Sequence, residues 1–578
     1  MAKRAKEKRT GNSWAALFRT IRDLKLPWLW IALSLTLNLT QTWLMLKLPD
    51  TTAGLLGGDL SGTAVARAIM YYVMTGVIAV VSVAAMVHAQ SLSVRRTRDR
   101  VWRKMLGMRM EYFDRNDPSE LMSAISNDSS AALDLVNIIL NLIPALYYVV
   151  GAMVTIHEYH YLLALSCFAL IPLKYIYALI MGRVFQKSSI RLYNRIGVLT
   201  GFLADRITHL QLIKTYTNEE QEERRGEQAA HELLKANMRL VHQDNLASAV
   251  TSIMDILQKF VVVLVAVILL QKKQIDLAVW LAFFLFSQNL FPYIDQIFQY
   301  WTTIKGLQGS FFRVVEIMQS PDEASGPVAE LPRTGDLHFR DVTLTYPEAD
   351  APALEHVSFT VPRGTSAAIV GLCGSGKTTA ISILEQLYSP QEGQVLIGDT
   401  DIRDISLSAF RQSISYVQQG TGFFSGTLRE LLTYGIPRAV SDEEILEAAR
   451  KTGFDEYLSL CGNCLDREIA SDAALSGGQS QRLVLTREVL RGGDIILMDE
   501  PTSALDIRVS ARIQETMDTV FAGKTRLLVT HDLRFARKYD KILVLSGGHL
   551  VGEGTHESLL AGCPLYRSMN ENAEETAL

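Results

Sequence analysis

Six stretches of the sequence, at about 27–48, 68–89, 135–156, 161–181, 247–270 and 277–301, are each dominated by apolar side chains over the roughly 20 residues that a helix needs to cross a bilayer. Lipid offers no partner to a bare peptide group, so stretches of this kind span a membrane as helices. The chain is therefore expected to be an integral, multi-pass membrane protein. The first stretch follows the basic MAKRAKEKR without a small-residue cleavage site, and is read as a retained anchor rather than a removed signal. Lys/Arg-rich segments at 93–104 (SVRRTRDRVWRK) and after Gly182 place the N-terminus and two long loops on the cytosolic side, with Lys272 and Lys273 running against that bias. Six crossings then return everything after Trp301 to the cytosol. Outer connections such as HEYH (157–160) are short, whereas the inner ones hold dozens of charged, helix-favouring residues, so the helices are expected to extend well below the membrane.

The whole chain, 578 residues with 48% hydrophobic content and a mean hydropathy of +0.14, is too long for one ordinary domain and too apolar for a soluble enzyme. A polar stretch containing SPDEASGP and LPRTG reads as a linker. The expected division is a six-helix transmembrane α-helical domain over 1–320, a linker over 321–335 and a second domain over 336–578. Neither an internal repeat nor a low-complexity tract is visible. A net charge of -4 with a pI near 6.3 lacks the basic excess of a nucleic-acid binder, so no nucleic-acid partner is expected. The five cysteines, Cys167, Cys373, Cys461, Cys464 and Cys563, are odd in number and fall in membrane or cytosolic segments, where structural disulfides are not expected. Cys461 and Cys464 form a lone CGNC with no second ligand pair at zinc spacing.

The chemistry is written in the second half. GLCGSGKT (371–378) fits G-x-x-x-x-G-K-[ST] and stands between a strand-like SAAIV and a helix-like continuation, as phosphate binding requires, so the domain over 336–578 is expected to be an α/β P-loop NTPase. Gly371, Gly374, Ser375, Gly376, Lys377, Thr378 and Thr379 are the candidates to hold nucleotide phosphates. The glycines let backbone N–H groups turn toward the phosphates, Lys377 can reach the β/γ-phosphates, and Thr378 can ligate Mg2+. DIILMDE (494–500) has the pattern of a buried strand ending in two carboxylates. Asp499 suits Mg2+, and Glu500 suits the polarisation of an attacking water.

Between these motifs lies LSGGQSQR (475–482), and with it the chain resembles an ATP-binding cassette (ABC) transporter half-subunit of exporter-type architecture, over essentially its whole length. The resemblance implies ATP and Mg2+ as cofactors and assigns further roles: Tyr346 to adenine stacking, Gln419 to the Q-loop contact with Mg2+ and the catalytic water, SALD (503–506) with Asp506 to the D-loop, and His531 to the switch histidine. Ser476, Gly477, Gly478 and Gln479 belong to the signature, whose helix N-terminus serves the ATP of a partner cassette. One membrane half and one cassette imply a half-transporter that pairs with a second one, as a homodimer or a heterodimer. The bacterial cytoplasmic membrane is the expected location, with the N-terminus and the cassette in the cytosol.

Two inner-loop segments are similar to the family's coupling regions: YFDRNDPSELMSAISND (112–128), where Pro118 and Ser119 replace a commoner Thr-Gly, and LADRITHLQLIKTYTNEEQ (203–221). One segment departs. Where exporters carry a TEVGERG-like stretch, this chain has DREIASDAA (466–474). Export of a small amphipathic molecule, lipid or peptide is expected; uptake by an exporter-type fold, as in siderophore importers, and an ATP-gated channel are the alternatives. Within the spans, Ser34, Asn38 and Gln41 share one helical face, and Gln288, Pro292, Asp295 and Gln299 share another. Lys174, Asp255 and Lys259 also lie in apolar segments, where ionisable groups face partners or a water-filled cavity. An Asp255–Lys259 pair one turn apart, neutralisation of Asp295 by Lys174, and substrate contact are all open.

Overall fold

A computed structural model gives the fold, describing residues 19–56, 61–116, 121–122, 125–126, 128–332, 335–347, 349–418, 422–462, 464–470, 475–502 and 505–575. The chain divides into two compact units, one of Met1–Gly107 with Asp117–Ser320, the other of Met108–Asn116 with Pro321–Leu578.

In the first unit, six helices among the described residues are long and apolar enough to cross a membrane: Trp28–Leu56, Gly62–Leu106, Ala132–Tyr159, Tyr161–Thr208, Glu219–Gln271 and Leu277–Tyr300. Each covers one of the six apolar stretches to within a residue. The fifth span has 53 residues. At 1.5 Å per residue it runs about 80 Å, far more than a bilayer core of about 30 Å takes up. Their mutual core is built from Tyr148, Ile156, Leu163, Val262, Phe283, Phe286 and Leu290, while Val77, Val80, Val83 and Val87 of the second span stay exposed. Lipid tails are as apolar as these side chains, so an outward valine costs nothing there.

The fourth span is broken, with separate helices over Tyr161–Phe168 and Ile171–Thr208. Pro172 opens the second piece, where a missing N–H does no harm. The groups the break exposes are met by Gln258 of the fifth span, which is 1% exposed. Its Oε1 accepts from the Leu170 N–H (3.1 Å), and its Nε2 donates to the carbonyls of Ser166 (2.8 Å) and Cys167 (3.3 Å). Asn38 is likewise spent on packing: it accepts from the Ser82 hydroxyl at 2.8 Å and donates to the Leu140 carbonyl at 3.4 Å. The charges pair across the bundle rather than along one helix. Among the described residues the partner of Asp255 is Lys174, not Lys259, and Lys174 also bonds Asp295 at 2.9 Å.

The second unit holds an antiparallel sheet of order β2-β1-β4-β5 (β1 Leu337–Leu344, β2 Leu354–Val361, β4 Glu392–Ile397, β5 Thr400–Asp401). Beside it is a six-stranded sheet of order β12-β11-β3-β10-β9-β6 (β3 Ser366–Gly371, β6 Ile414–Val417, β9 Ile495–Asp499, β10 Thr525–Val529, β11 Lys541–Ser546, β12 His549–Gly554). Apart from β12 this sheet is parallel, and β7 (Gly426–Thr427) and β8 (Glu468–Ile469) form a separate antiparallel pair. β3 and β9 are buried at every position, as strands covered on both faces must be. Phe339, Val357, Ile369, Ile381 and Leu497 form the core on one side of the large sheet; Val370, Val484, Met498, Ile513 and Val544 form that on the other. Residues before β1 run along this unit. Glu323 takes both guanidinium nitrogens of Arg411 (2.8 and 2.9 Å), and Gly326 lies where a Cβ would fall 2.1 Å from the carbonyl carbon of Asp404.

Candidate nucleotide site

Parallel strands present their carboxyl ends on one edge of the sheet, and in this order β3, β10 and β9 are neighbours. The chain therefore brings three loops together: 371–376 after β3, Thr530 and His531 after β10, and Glu500 after β9. Open α/β sheets bind ligands at that edge.

The loop after β3 turns into the helix Lys377–Leu384 through Gly376, whose φ of 99° only glycine adopts freely. Close approach adds a second reason, since a Cβ there would sit 2.5 Å from the Ala353 carbonyl oxygen. Lys377 is folded over the loop and donates to the carbonyls of Gly371 and Leu372, both at 3.0 Å. Among the described residues the buried Ser375 hydroxyl has no partner. Thr379 receives a hydrogen bond from the Tyr346 hydroxyl at 3.3 Å, and Tyr346 packs edge-on against Tyr388 with ring centroids 5.0 Å apart. Tyr346 thus borders the loop.

Asp499 ends β9, 3% exposed, and one of its oxygens, Oδ1, is unpartnered among the described residues. The Thr378 hydroxyl bonds its carboxylate. Burial, with the adjacent Glu500 charge, pushes Asp499 above the usual carboxylate range, while Thr378 and Lys377 pull it back. A buried carboxylate oxygen beside a hydroxyl is a donor set for a small hard cation, and these residues fit Mg2+. Glu500 has a φ of 45°, unusual for a residue with a side chain, and such strain collects at functional positions. His531 Nδ1 lies 3.3 Å from Glu500 Oε1. Gln419 lies outside the described residues.

The signature forms a separate centre. Ser476 caps the helix Gly477–Arg491, accepting from the Gln479 N–H (3.3 Å) while Gln479 Oε1 accepts from the Ser476 N–H (2.9 Å). This reciprocal box leaves the first-turn N–H groups of Gly477 and Gly478 without intrahelical acceptors. Leu483 anchors that helix in a core with Leu428, Leu432, Ile445 and Phe454. Asp506 caps the helix Ile507–Val520 by accepting from the Arg508 and Val509 N–H groups at 3.1 and 3.0 Å. Among the described residues no hydrogen bond joins Ser476–Gln479 to the 371–379 loop.

Two groups near the site were not singled out in the sequence. Glu385 follows the loop helix, and burial pushes its carboxyl to about 7, with Arg411 opposing and Asp499 adding to the rise. Its signal was available, because seven residues after Thr378 is two turns along the same helical face. The short helix Met110–Asp114 belongs to this unit, and its Asp114 accepts from the Tyr388 hydroxyl at 2.6 Å.

Residues 354–503 match the family described as ABC transporter, and residues 33–293 match the ABC transporter transmembrane region. A multidrug resistance ABC transporter ATP-binding and permease protein of Lactococcus lactis subsp. cremoris is 26% identical over 560 residues, covering 95% of this chain and 94% of that protein. An ATP-dependent lipid A-core flippase of Mannheimia succiniciproducens is 26% identical over 578 residues, covering 97% of each chain. The flippase of that name in Escherichia coli K12 is 26% identical over 484 residues, 83% of each.

Proposed function

We propose, on the premise that this chain belongs to the ABC transporter family and is an ATP-hydrolysing, multi-pass membrane transporter, that it works as one half of a dimer that exports a small amphipathic compound across a bacterial cytoplasmic membrane. In this reading residues 1–320 form the translocating domain, 321–335 the connection and 336–578 the cassette on the cytosolic side.

The observation that carries the reading is the pairing of Glu500 with His531 at 3.3 Å on the strand edge that also holds the phosphate loop, an arrangement that suits hydrolysis rather than gating alone. Gly371, Gly374, Ser375, Gly376, Lys377, Thr378 and Thr379 cradle the phosphates, and Tyr346 stacks on the base. Lys377, now bonded to two loop carbonyls, exchanges them for phosphate oxygens. Thr378, Asp499 and Gln419 would hold Mg2+, which would supply neutralisation of phosphate charge. Glu500 accepts the proton of the attacking water, and His531 orients that carboxylate. Ser476, Gly477, Gly478 and Gln479, with Asp506, complete the partner's site. Export is favoured by the relatives, whose names are those of a multidrug resistance protein and a flippase.

Vesicles with cassettes facing out test this. ATP added outside is expected to drive substrate into the lumen, and Glu500→Gln is expected to bind ATP while turnover drops by about 100-fold or more. Wild-type turnover in Glu500→Gln would remove Glu500 from its role, and ATP-driven loss of preloaded substrate would replace export with import.

A further inference from the structure

We infer that the membrane cavity selects an amphipathic organic cation, with Asp295 as the residue that discriminates charge; this rests on the reading of that cavity as the translocation path. The cavity, of about 830 Å3, lies among the fourth, fifth and sixth spans and reaches Met45 of the first. Its volume falls within the usual range for a drug-sized ligand.

The argument begins with a charge count. Lys174 is 5% exposed and bonds two carboxylates, Asp255 of the fifth span and Asp295 of the sixth, which are 28% and 29% exposed. One ammonium against two carboxyl groups leaves one of them without a cation of its own in the cluster. Asp244 also lines the cavity, so the excess grows rather than shrinks along the lining. Lys259, one turn beyond Asp255, is exposed and is not among the described residues that line it. In a low-dielectric setting such an imbalance attracts a cation and repels an anion. A monovalent cation at Asp295 brings the cluster to neutrality, with Lys174 and Asp255 remaining as a pair.

The remaining lining suits an organic cation rather than a hydrated ion. Tyr177, Tyr293 and Phe298 line the cavity with aromatic rings, and Asn289 and Gln296 with amides. Aromatic faces hold quaternary or delocalised cations by their quadrupole. The lining also corrects the face read from spacing: Asn289 and Gln296 join Asp295 and Gln299, whereas among the described residues Gln288 does not line the cavity. A phosphate-bearing lipid headgroup is the opposite class, and this cavity is built against it.

The test uses the full chain in nanodiscs, with tetraphenylphosphonium and tetraphenylborate as probes of equal shape and opposite charge and empty nanodiscs as the partition blank. The wild type is expected to bind the phosphonium at least about tenfold more tightly than the borate. Asp295→Asn, which leaves the Lys174–Asp255 pair neutral, is expected to lose about tenfold for the phosphonium, and Asp295→Glu to recover it. Equal binding, a preference for the borate, or an Asp295→Asn protein that melts like wild type and holds the phosphonium as tightly would overturn the inference. Should Asp295→Asn not fold, the wild-type comparison of the two probes decides alone. A protein that hydrolyses ATP and transports without preferring the cation defeats only this inference; one that binds the cation yet does not hydrolyse ATP defeats the transport reading instead.

Discussion

Glu385 carries a consequence for pH. Burial holds its carboxyl at about 7 against an ordinary 4.5, so the fold keeps a proton that the unfolded chain has already released over that interval. The associated stability is present below 4.5 and is lost as pH rises through about 7. The loss amounts to about 3 kcal/mol at most. Glu385→Gln removes the titrating group, and its melting temperature is expected to exceed that of the wild type at pH 8 and to match it at pH 4.5. A parallel pH profile for the two proteins would place the charge elsewhere. Arg411 softens the effect without cancelling it, because its guanidinium is engaged bidentately by Glu323. Asp499 feels the same burial, which a bound cation would relieve.

At the scale of elements, the signature helix does two jobs with one cap. Ser476 and Gln479 satisfy each other's backbone N–H groups, and the free first-turn N–H groups are what an anion would meet. Gln479→Glu keeps a capping box, because glutamate at the third helical position makes the same bond, but sets a negative charge where phosphate must approach. Its melting temperature is expected to stay at the wild-type value while ATPase activity falls about tenfold or more. Ser476→Ala is expected to lose both, with about 1 kcal/mol of stability gone. A Gln479→Glu protein with full ATPase would show that this end does not face nucleotide. The helix Met110–Asp114 makes a comparable link, since Asp114, Tyr388, Tyr346 and Thr379 form one chain of contacts from that helix to the phosphate loop.

For the whole molecule, the proposal that a partner's signature closes each nucleotide site makes a definite demand on mixtures. Lys377→Ala disables a chain's own loop, and Ser476→Arg disables what it lends to the other. Each is expected to be inactive alone. Mixed before assembly, the two form some dimers in which the intact loop of one meets the intact signature of the other, and those are expected to recover ATP hydrolysis at one site. Recovery measured after co-reconstitution supports a shared site between copies of this chain. Failure to recover, with each variant folded, would point to an obligatory different partner.

Much of this protein was legible without its fold, and the reason is that those features are local. Spanning length, the strand, glycine turn and helix around Lys377, and the carboxylates ending β9 depend on neighbours within a few residues, so composition and spacing suffice to find them. Gln258 could not be read that way. Its purpose is the break before Ile171, some ninety positions earlier in the chain, and only packing brings the two together. Asp255 had a cation one turn away in Lys259, yet the fold gave it Lys174 and made that ammonium serve Asp295 as well. Local spacing offers possible partners, but the low dielectric between helices makes the choice among them a question of which side chains are desolvated together. The sequence by itself determined the spans and the phosphate loop; the tertiary structure decided which acids share one ammonium, because pairing of charges belongs to a packed volume and not to a segment.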